Sequence, residues 1–157
     1  MGEEKDVAGV LAPPPLIFGV PLVIGLVLHS LDLGLDFTEL WPVRAIGGGA
    51  LAVLGATFIV LALLRFRRAD TPPQPWEETR AIVTSGVYKV TRNPMYLGMA
   101  LIFLGIALIA GCYLMLALLG LAVVTVDRGV IAREEAYLTR KFGAAYTDYR
   151  KDSRRWL

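Results

Sequence analysis

Charged side chains are missing from three long stretches of this chain. No Asp, Glu, Lys or Arg occurs between Asp6 and Asp32, between Arg44 and Arg65, or between Arg92 and Asp127. A helix that crosses a bilayer needs about 20 predominantly apolar residues. The first two stretches each suit one such helix. The third is long enough for two short ones, and Gly111, Cys112 and Tyr113 at its middle mark a tight hairpin. The pattern predicts four spans, over residues 16–30, 45–64, 94–110 and 113–126.

The polar positions set the expected orientation. With four spans both termini share one side, and of the 16 basic residues all but Arg44 fall there, Lys5 included. An excess of Lys and Arg marks the cytoplasmic side. Both termini and the loop between the second and third spans are therefore expected to be cytoplasmic. Composition agrees: of the 157 residues 55% are hydrophobic and 19% charged, with a mean hydropathy of +0.57. A soluble domain is roughly 45–50% apolar with glycine counted, and about 25% charged. One integral membrane domain is expected over residues 1–157, with two structural spans in 1–65 and a functional core in 66–157. The single Cys112 excludes a disulfide framework and a cysteine-rich metal cluster. A net charge of +2 gives no strongly basic patch for nucleic acid. The opening Met1-Gly-Glu-Glu-Lys-Asp6 is acidic, unlike a cleavable signal. No Ser or Thr stands where myristoylation of Gly2 would need one.

Within this frame some residues stand out. Gly47, Gly48, Gly49, Ala52 and Gly55 offer a small-residue face for close helix packing. His29, alone near a span end, reads as an ordinary interfacial residue, with a ligand or proton-relay role as the alternative; Asp32 and Asp36 read as loop residues. The middle loop carries a proline-rich run, Thr71-Pro-Pro-Gln-Pro-Trp76, expected to be extended. Trp76 suits the headgroup layer. Residues 81–84 are short and β-prone, and Ser85-Gly86 makes a turn. Asn93-Pro94 then signals a helix start, Asn as N-cap and Pro as first helical residue. Free N–H groups there suit an anion, or the pair only begins the helix.

After the fourth span the chain reads as an amphipathic tail helix. Val130, Ile131, Leu138 and Phe142 can line one side, and Arg133, Arg140 and Lys141 the other. Phe142-Gly143 should end it, with Tyr146 and Tyr149 sealing the next turn against the membrane face. Glu134 and Glu135 point about 100° apart on a helix, so only one can face inward. Arg128, seven residues before Glu135, is expected on the same face as it. An inward carboxylate at membrane depth is a functional candidate; the alternative is an interfacial ion pair.

Two motifs make a family resemblance. Ser85-Gly-Val-Tyr-Lys-Val-Thr-Arg-Asn-Pro-Met-Tyr-Leu-Gly98, a hydrophobic hairpin, and Glu134-Glu-Ala-Tyr-Leu-Thr-Arg-Lys-Phe-Gly-Ala-Ala-Tyr-Thr-Asp-Tyr149 resemble the isoprenylcysteine carboxyl methyltransferases, with the phospholipid methyltransferases as wider relatives. The resemblance covers residues 80–157. It implies an all-helical integral membrane enzyme that uses S-adenosylmethionine, releases S-adenosylhomocysteine, needs no metal, and methylates a lipophilic or amphipathic small molecule reached from the bilayer. By position it implies that Arg80, Ala81, Ile82, Val83, Tyr88, Arg92, Asn93, Pro94, Met95, Tyr96 and Glu134 line the cofactor pocket.

Two positions depart from the family. Asn93 stands where its histidine is usual, and Val130 where farnesyl-cysteine methyltransferases carry an arginine for the substrate carboxylate. Arg128 is then the cation available to an acceptor. Glu135 is the base available to an amine, thiol or phenol acceptor. The competing readings are a small four-span transporter and an inactive scaffold that keeps the fold. A prokaryotic inner membrane is the expected setting.

Overall fold

The computed structural model describes residues 6–37 and 39–157. Lys5, one of the basic residues counted above, and Gly2 lie outside the described residues. Helices dominate: α1 (Pro14–Ser30), α2 (Trp41–Arg68), α3 (Pro94–Ala110), α4 (Tyr113–Val126), α5 (Ala132–Phe142) and α6 (Ala144–Asp152). No strand forms among the described residues, only isolated bridges at Asp36–Cys112 and Thr91–Arg154. Residues 81–84, β-prone by sequence, are therefore irregular; no neighbouring strand pairs with them.

The helices sit where the charge gaps put them, with informative differences at the ends. Trp41–Arg68 and the continuous helix Tyr113–Phe142 are long and apolar enough to cross a membrane; Pro14–Ser30 and Pro94–Ala110 are shorter apolar helices. At a rise of about 1.5 Å per residue, each of the shorter two reaches about 25 Å. α2 outruns its charge-free stretch at both ends, taking in Arg44 and, in its last turn, Arg65, Arg67 and Arg68. Arg67 and Arg68 are exposed, whereas Arg44 folds back over the rings of Phe37 and Trp41, 4.9 and 5.8 Å from their centroids. In the most apolar 18-residue window of α2 only 17% of the residues are buried. Ile46, Val53 and Val60 on α2, Val23 and Val27 on α1, and Val124 on α4 are all more than half exposed. Apolar surface left in water forfeits about 25 cal/mol per Å², so continuous faces of this kind suit lipid.

α2 and α3 pack antiparallel through facing glycines. A Cβ on Gly55 would lie 2.5 Å from the carbonyl oxygen of Gly98, and one on Gly48 would lie 2.5 Å from that of Gly105. Gly48 and Gly55, like Gly98 and Gly105, are seven apart, two turns of a helix, so both pairs fall on one seam. Ala52 completes the seam against Gly105. Gly47 and Gly49 meet nothing within 4 Å, so only part of the small-residue cluster packs. Elsewhere the core gathers Phe18, Phe103, Met115, Val126, Val130 and Ile131.

Gly111 turns α3 into α4 at a φ of 71°, left-handed backbone that glycine adopts without a Cβ penalty. α4 runs into α5 through a π turn over Asp127–Ile131. A π turn carries an extra residue and rotates the residues beyond it by about 100° relative to an unbroken α-helix. The carbonyl of Gly129 in this turn accepts from Leu11 N–H at 3.1 Å, and Arg133 donates to the carbonyl of Gly9 at 2.7 Å. The N-terminal arm is thereby laid along the start of α5. The helix then ends at Gly143, φ 55°.

Candidate ligand site

The site forms where the middle loop, the start of α3, α5 and α6 meet. The loop forms neither helix nor strand through residues 71–74 and turns at Gln74, whose carbonyl accepts from Glu77 N–H at 3.1 Å. It ends in a single 3-10 turn, Gly86–Lys89, that buries Tyr88. Pro94 then occupies the first turn of α3, as expected. Asn93 precedes it but makes no side-chain cap. Its Nδ2 instead donates to the carbonyl of Arg155 at 2.9 Å.

The C-terminal residues thus close one wall. Arg92 N–H donates to the carbonyl of Arg154 at 2.8 Å, and the buried Thr91 hydroxyl donates to that of Arg155 at 3.1 Å. Trp156 Nε1 donates to Asp127 Oδ1 at 3.0 Å, tying the tail to the π turn. No pattern of apolar periodicity announces these contacts, because all but the last are backbone carbonyls captured by a distant segment.

Between these walls lies a cleft of about 830 Å³, counting the space at its mouth. Ala81, Ile82 and Val83 from the loop, with Tyr88, line it. So do Arg92, Asn93, Pro94, Met95 and Tyr96 around the start of α3, and Glu134 and Glu135 from α5. Of the residues expected at the pocket, Arg80 is the one that lies elsewhere. It is 68% exposed, stands 3.8 Å from Asp70 and borders a separate shallow hollow beside Arg67. Sequence reasoning missed the proline run 72–75, Tyr137, Tyr146 and Tyr149, all of which line the cleft. By sequence the last two suit a seal against the membrane face. Their i, i+3 spacing does bring the rings together, 6.2 Å between centroids, but toward the cavity.

The two glutamates differ sharply. Glu134 Oε1 accepts from the Tyr96 hydroxyl at 2.7 Å and has no ion-pair partner among the described residues. Glu135 is held by Arg92 Nη2 at 3.1 Å, Arg155 Nη2 at 2.6 Å and, more loosely, Arg150 at 4.0 Å. A carboxylate so engaged is a poor proton acceptor, which corrects the reading of Glu135 as a free base. Arg92 also donates to the carbonyls of Arg150 and Ser153; its Nε is buried without a partner among the described residues.

Arg128 is not on the face of Glu135. Its side chain is 83% exposed and lies 3.6 Å from Asp127, whereas that of Glu135 is 8% exposed. The seven-residue count assumed an unbroken α-helix, and the π turn between them breaks it. Val130 packs in the core, fully buried.

Two phenols of the site, those of Tyr88 and Tyr149, are harder to ionise than usual. Burial pushes the pKa of Tyr88 well above the usual phenol value, with Tyr149 and Glu134 adding to the effect. Burial likewise pushes Tyr149 up to about 12. Tyr149 Oη donates to the carbonyl of Tyr88 at 2.7 Å, closing the aromatic wall. Tyr137 Oη joins three segments: it donates to the carbonyl of Asp6 at 2.9 Å and accepts from Thr79 N–H at 3.3 Å and Lys141 Nζ at 3.1 Å.

Long apolar helices facing outward, with a cleft of tyrosines, one unpaired carboxylate and a clamped one at their charged end, describe a helical membrane protein with a small-molecule site. The phospholipid methyltransferase family model matches residues 43–145, most of the chain, and the protein belongs to that family. It is also 36% identical over 70 residues to the protein-S-isoprenylcysteine O-methyltransferase of Schizosaccharomyces pombe. That match covers 45% of this chain and 30% of the yeast protein, so it spans under a third of that relative's length. No solved structure matches the chain significantly.

Proposed function

We propose that the protein is a methyltransferase that binds S-adenosylmethionine in this cleft and methylates a lipophilic or amphipathic acceptor at the membrane surface. The carrying observation is Glu134: a carboxylate in the cavity wall, positioned by Tyr96 and lacking any cation among the described residues. Such a group calls for a ligand that brings positive charge or hydroxyl donors. S-Adenosylmethionine brings an ammonium, a sulfonium and ribose hydroxyls, and its carboxylate suits the unsatisfied Nε of Arg92. The rings of Tyr88, Tyr146 and Tyr149 supply faces for a planar base or a cation. Ile82, Val83 and Met95 supply apolar wall.

The bound cofactor supplies an already activated methyl group. The protein's part is then to align donor and acceptor and to exclude water. Glu134 and Tyr96 orient the ligand, the tyrosine wall keeps water out, and Glu135 holds Arg92 and the tail in place. With Glu135 clamped, the acceptor best suited is one that attacks without surrendering a proton, such as a carboxylate. We place four spans in the bilayer, α1 to α4, with both termini and the cleft on the cytoplasmic side, as the distribution of Lys and Arg directs.

Calorimetry on the detergent-purified protein tests this. S-adenosylhomocysteine should bind saturably, and Glu134→Ala should weaken binding at least tenfold, about 1.4 kcal/mol. No binding at about 1 mM ligand, a ceiling corresponding to roughly 4 kcal/mol, overturns the reading. Binding without methylation of any of a panel of lipids, quinones, thiols and isoprenoid carboxylates selects the inactive-scaffold alternative.

A further inference from the structure

At the far end of α3 and α4 from the cleft, three side chains from separate segments converge. His29 stands in the last turn of α1, Asp36 in the loop after it, and Cys112 between α3 and α4. His29 Nδ1 lies 2.9 Å from Asp36 Oδ1, and Cys112 Sγ lies 3.0 Å from the carbonyl oxygen of Gly34. The donor atoms of His29, Asp36 and Cys112 all fall within 4.8 Å of one another. Gly34 marks their point of convergence. A Cβ there would lie 2.7 Å from Asp36 Oδ1, 2.9 Å from Cys112 Sγ and 3.1 Å from His29 Nδ1. The chain thus omits a side chain at the spot on which an imidazole, a carboxylate and a thiol all bear.

The segments are held in register by the backbone. Phe37 N–H donates to Gly111 at 2.7 Å, Tyr113 N–H to Leu35 at 3.2 Å, and Leu114 N–H to Gly34 at 3.3 Å. The cluster is therefore organised before anything binds to it. Cys112 is fully buried and free of any disulfide. The side chains of His29 and Asp36 are 30% and 37% exposed, which leaves a way in from solvent.

We propose that His29, Asp36 and Cys112 bind one zinc ion, which staples the loop after α1 to the α3–α4 hairpin. Nitrogen, carboxylate oxygen and thiolate are the three ligand types zinc takes, at about 2.0–2.3 Å. To reach those lengths His29 Nδ1 and Asp36 Oδ1 part slightly from 2.9 Å, and Cys112 Sγ closes on them from a separation of at most 4.8 Å. Ionised Asp36 and Cys112 together balance the charge of the ion, and Cys112 loses its thiol proton to solvent on binding. The thiolate disfavours magnesium and calcium, which prefer oxygen. A water completes the tetrahedron on the exposed side. The site is independent of the methyltransferase reading, since it shares no residue with the cleft.

The test uses the full chain in detergent, stripped with chelator and titrated with Co²⁺ as a spectroscopic stand-in, then with Zn²⁺. The expected result is one cobalt per chain with a thiolate-to-cobalt charge-transfer band, displaced by zinc, and a zinc-dependent rise in the thermal midpoint. Cys112→Ser should abolish the band, and His29→Gln and Asp36→Asn, at partly exposed positions, should each weaken binding at least tenfold. Absence of the band in wild-type protein whose helical circular dichroism is intact overturns the proposal. So does cobalt binding of unchanged affinity in Cys112→Ser and His29→Gln.

Discussion

The hydroxyl of Tyr96, in the first turn of α3, donates to Glu134 Oε1 on α5 at 2.7 Å. This one bond aims the unpaired carboxylate of the cleft. Tyr96→Phe removes the donor and leaves the shape. A hydrogen bond to a charged group is worth about 1.5–3 kcal/mol, so affinity for S-adenosylhomocysteine should fall roughly tenfold or more. Glu134→Gln keeps the shape and removes the charge, and should weaken binding at least as much. Calorimetry on both variants checks this; unchanged affinity in each removes the pair from the site.

Glu135 acts through Arg92 and Arg155, and its loss should appear in stability. The side chains of Arg92 and Glu135 are 10% and 8% exposed. Removing one partner of a buried pair is destabilising by about 3–5 kcal/mol, so Glu135→Ala should lower the thermal midpoint markedly. Glu134→Ala, which breaks no ion pair, should lower it much less. Thermal unfolding of the two variants in the same detergent separates them. Equal midpoints would mean that the arginine clamp carries no stability.

The α2–α3 seam predicts a second stability effect far from the cleft. A Cβ on Gly98 would meet the carbonyl oxygen of Gly55 at 2.5 Å and Ile59 Cγ1 at 2.6 Å. Backbone cannot yield as a flexible side chain does, so Gly98→Val should drive the helices apart. The overpacking penalty is typically about 1–3 kcal/mol. Gly49→Ala, where nothing lies within 4 Å, should be neutral or slightly stabilising. Paired melting curves of the two variants check this.

The tyrosine wall predicts alkaline sensitivity. Tyr149 is raised from its ordinary 10.0 to about 12, chiefly by burial. Above pH 10 the unfolded chain gives up this proton while the folded one keeps it. The contribution to stability is therefore full below pH 10 and is lost as pH rises toward 12. Tyr149→Phe should flatten the fall in denaturation midpoint over that window. An unchanged slope would mean the hydroxyl is not sequestered.

The positions of these effects were legible to different degrees. Gaps between charges located α1 to α4, because crossing an apolar layer demands uninterrupted apolar length. Asn93-Pro94 and Phe142-Gly143 marked helix ends through backbone chemistry that is local. The two motifs also gathered Tyr88, Tyr96 and Glu134 into one candidate site before any geometry was known. Arg80 went astray because adjacency to Ala81 in the loop does not settle which way a side chain turns.

By itself, then, the sequence determined the apolar helices, the collection of charge at one end of them, and the family. Tertiary structure alone decided which glutamate is free. The π turn over Asp127–Ile131 resets the helical phase, so counting sevens from Arg128 fails, and Arg155, twenty residues beyond Glu135, arrives to clamp it. It alone also brought His29, Asp36 and Cys112 around Gly34. Periodicity reports which face of one helix a residue occupies. It carries no information on which distant segments share a point in space, and both sites depend on that.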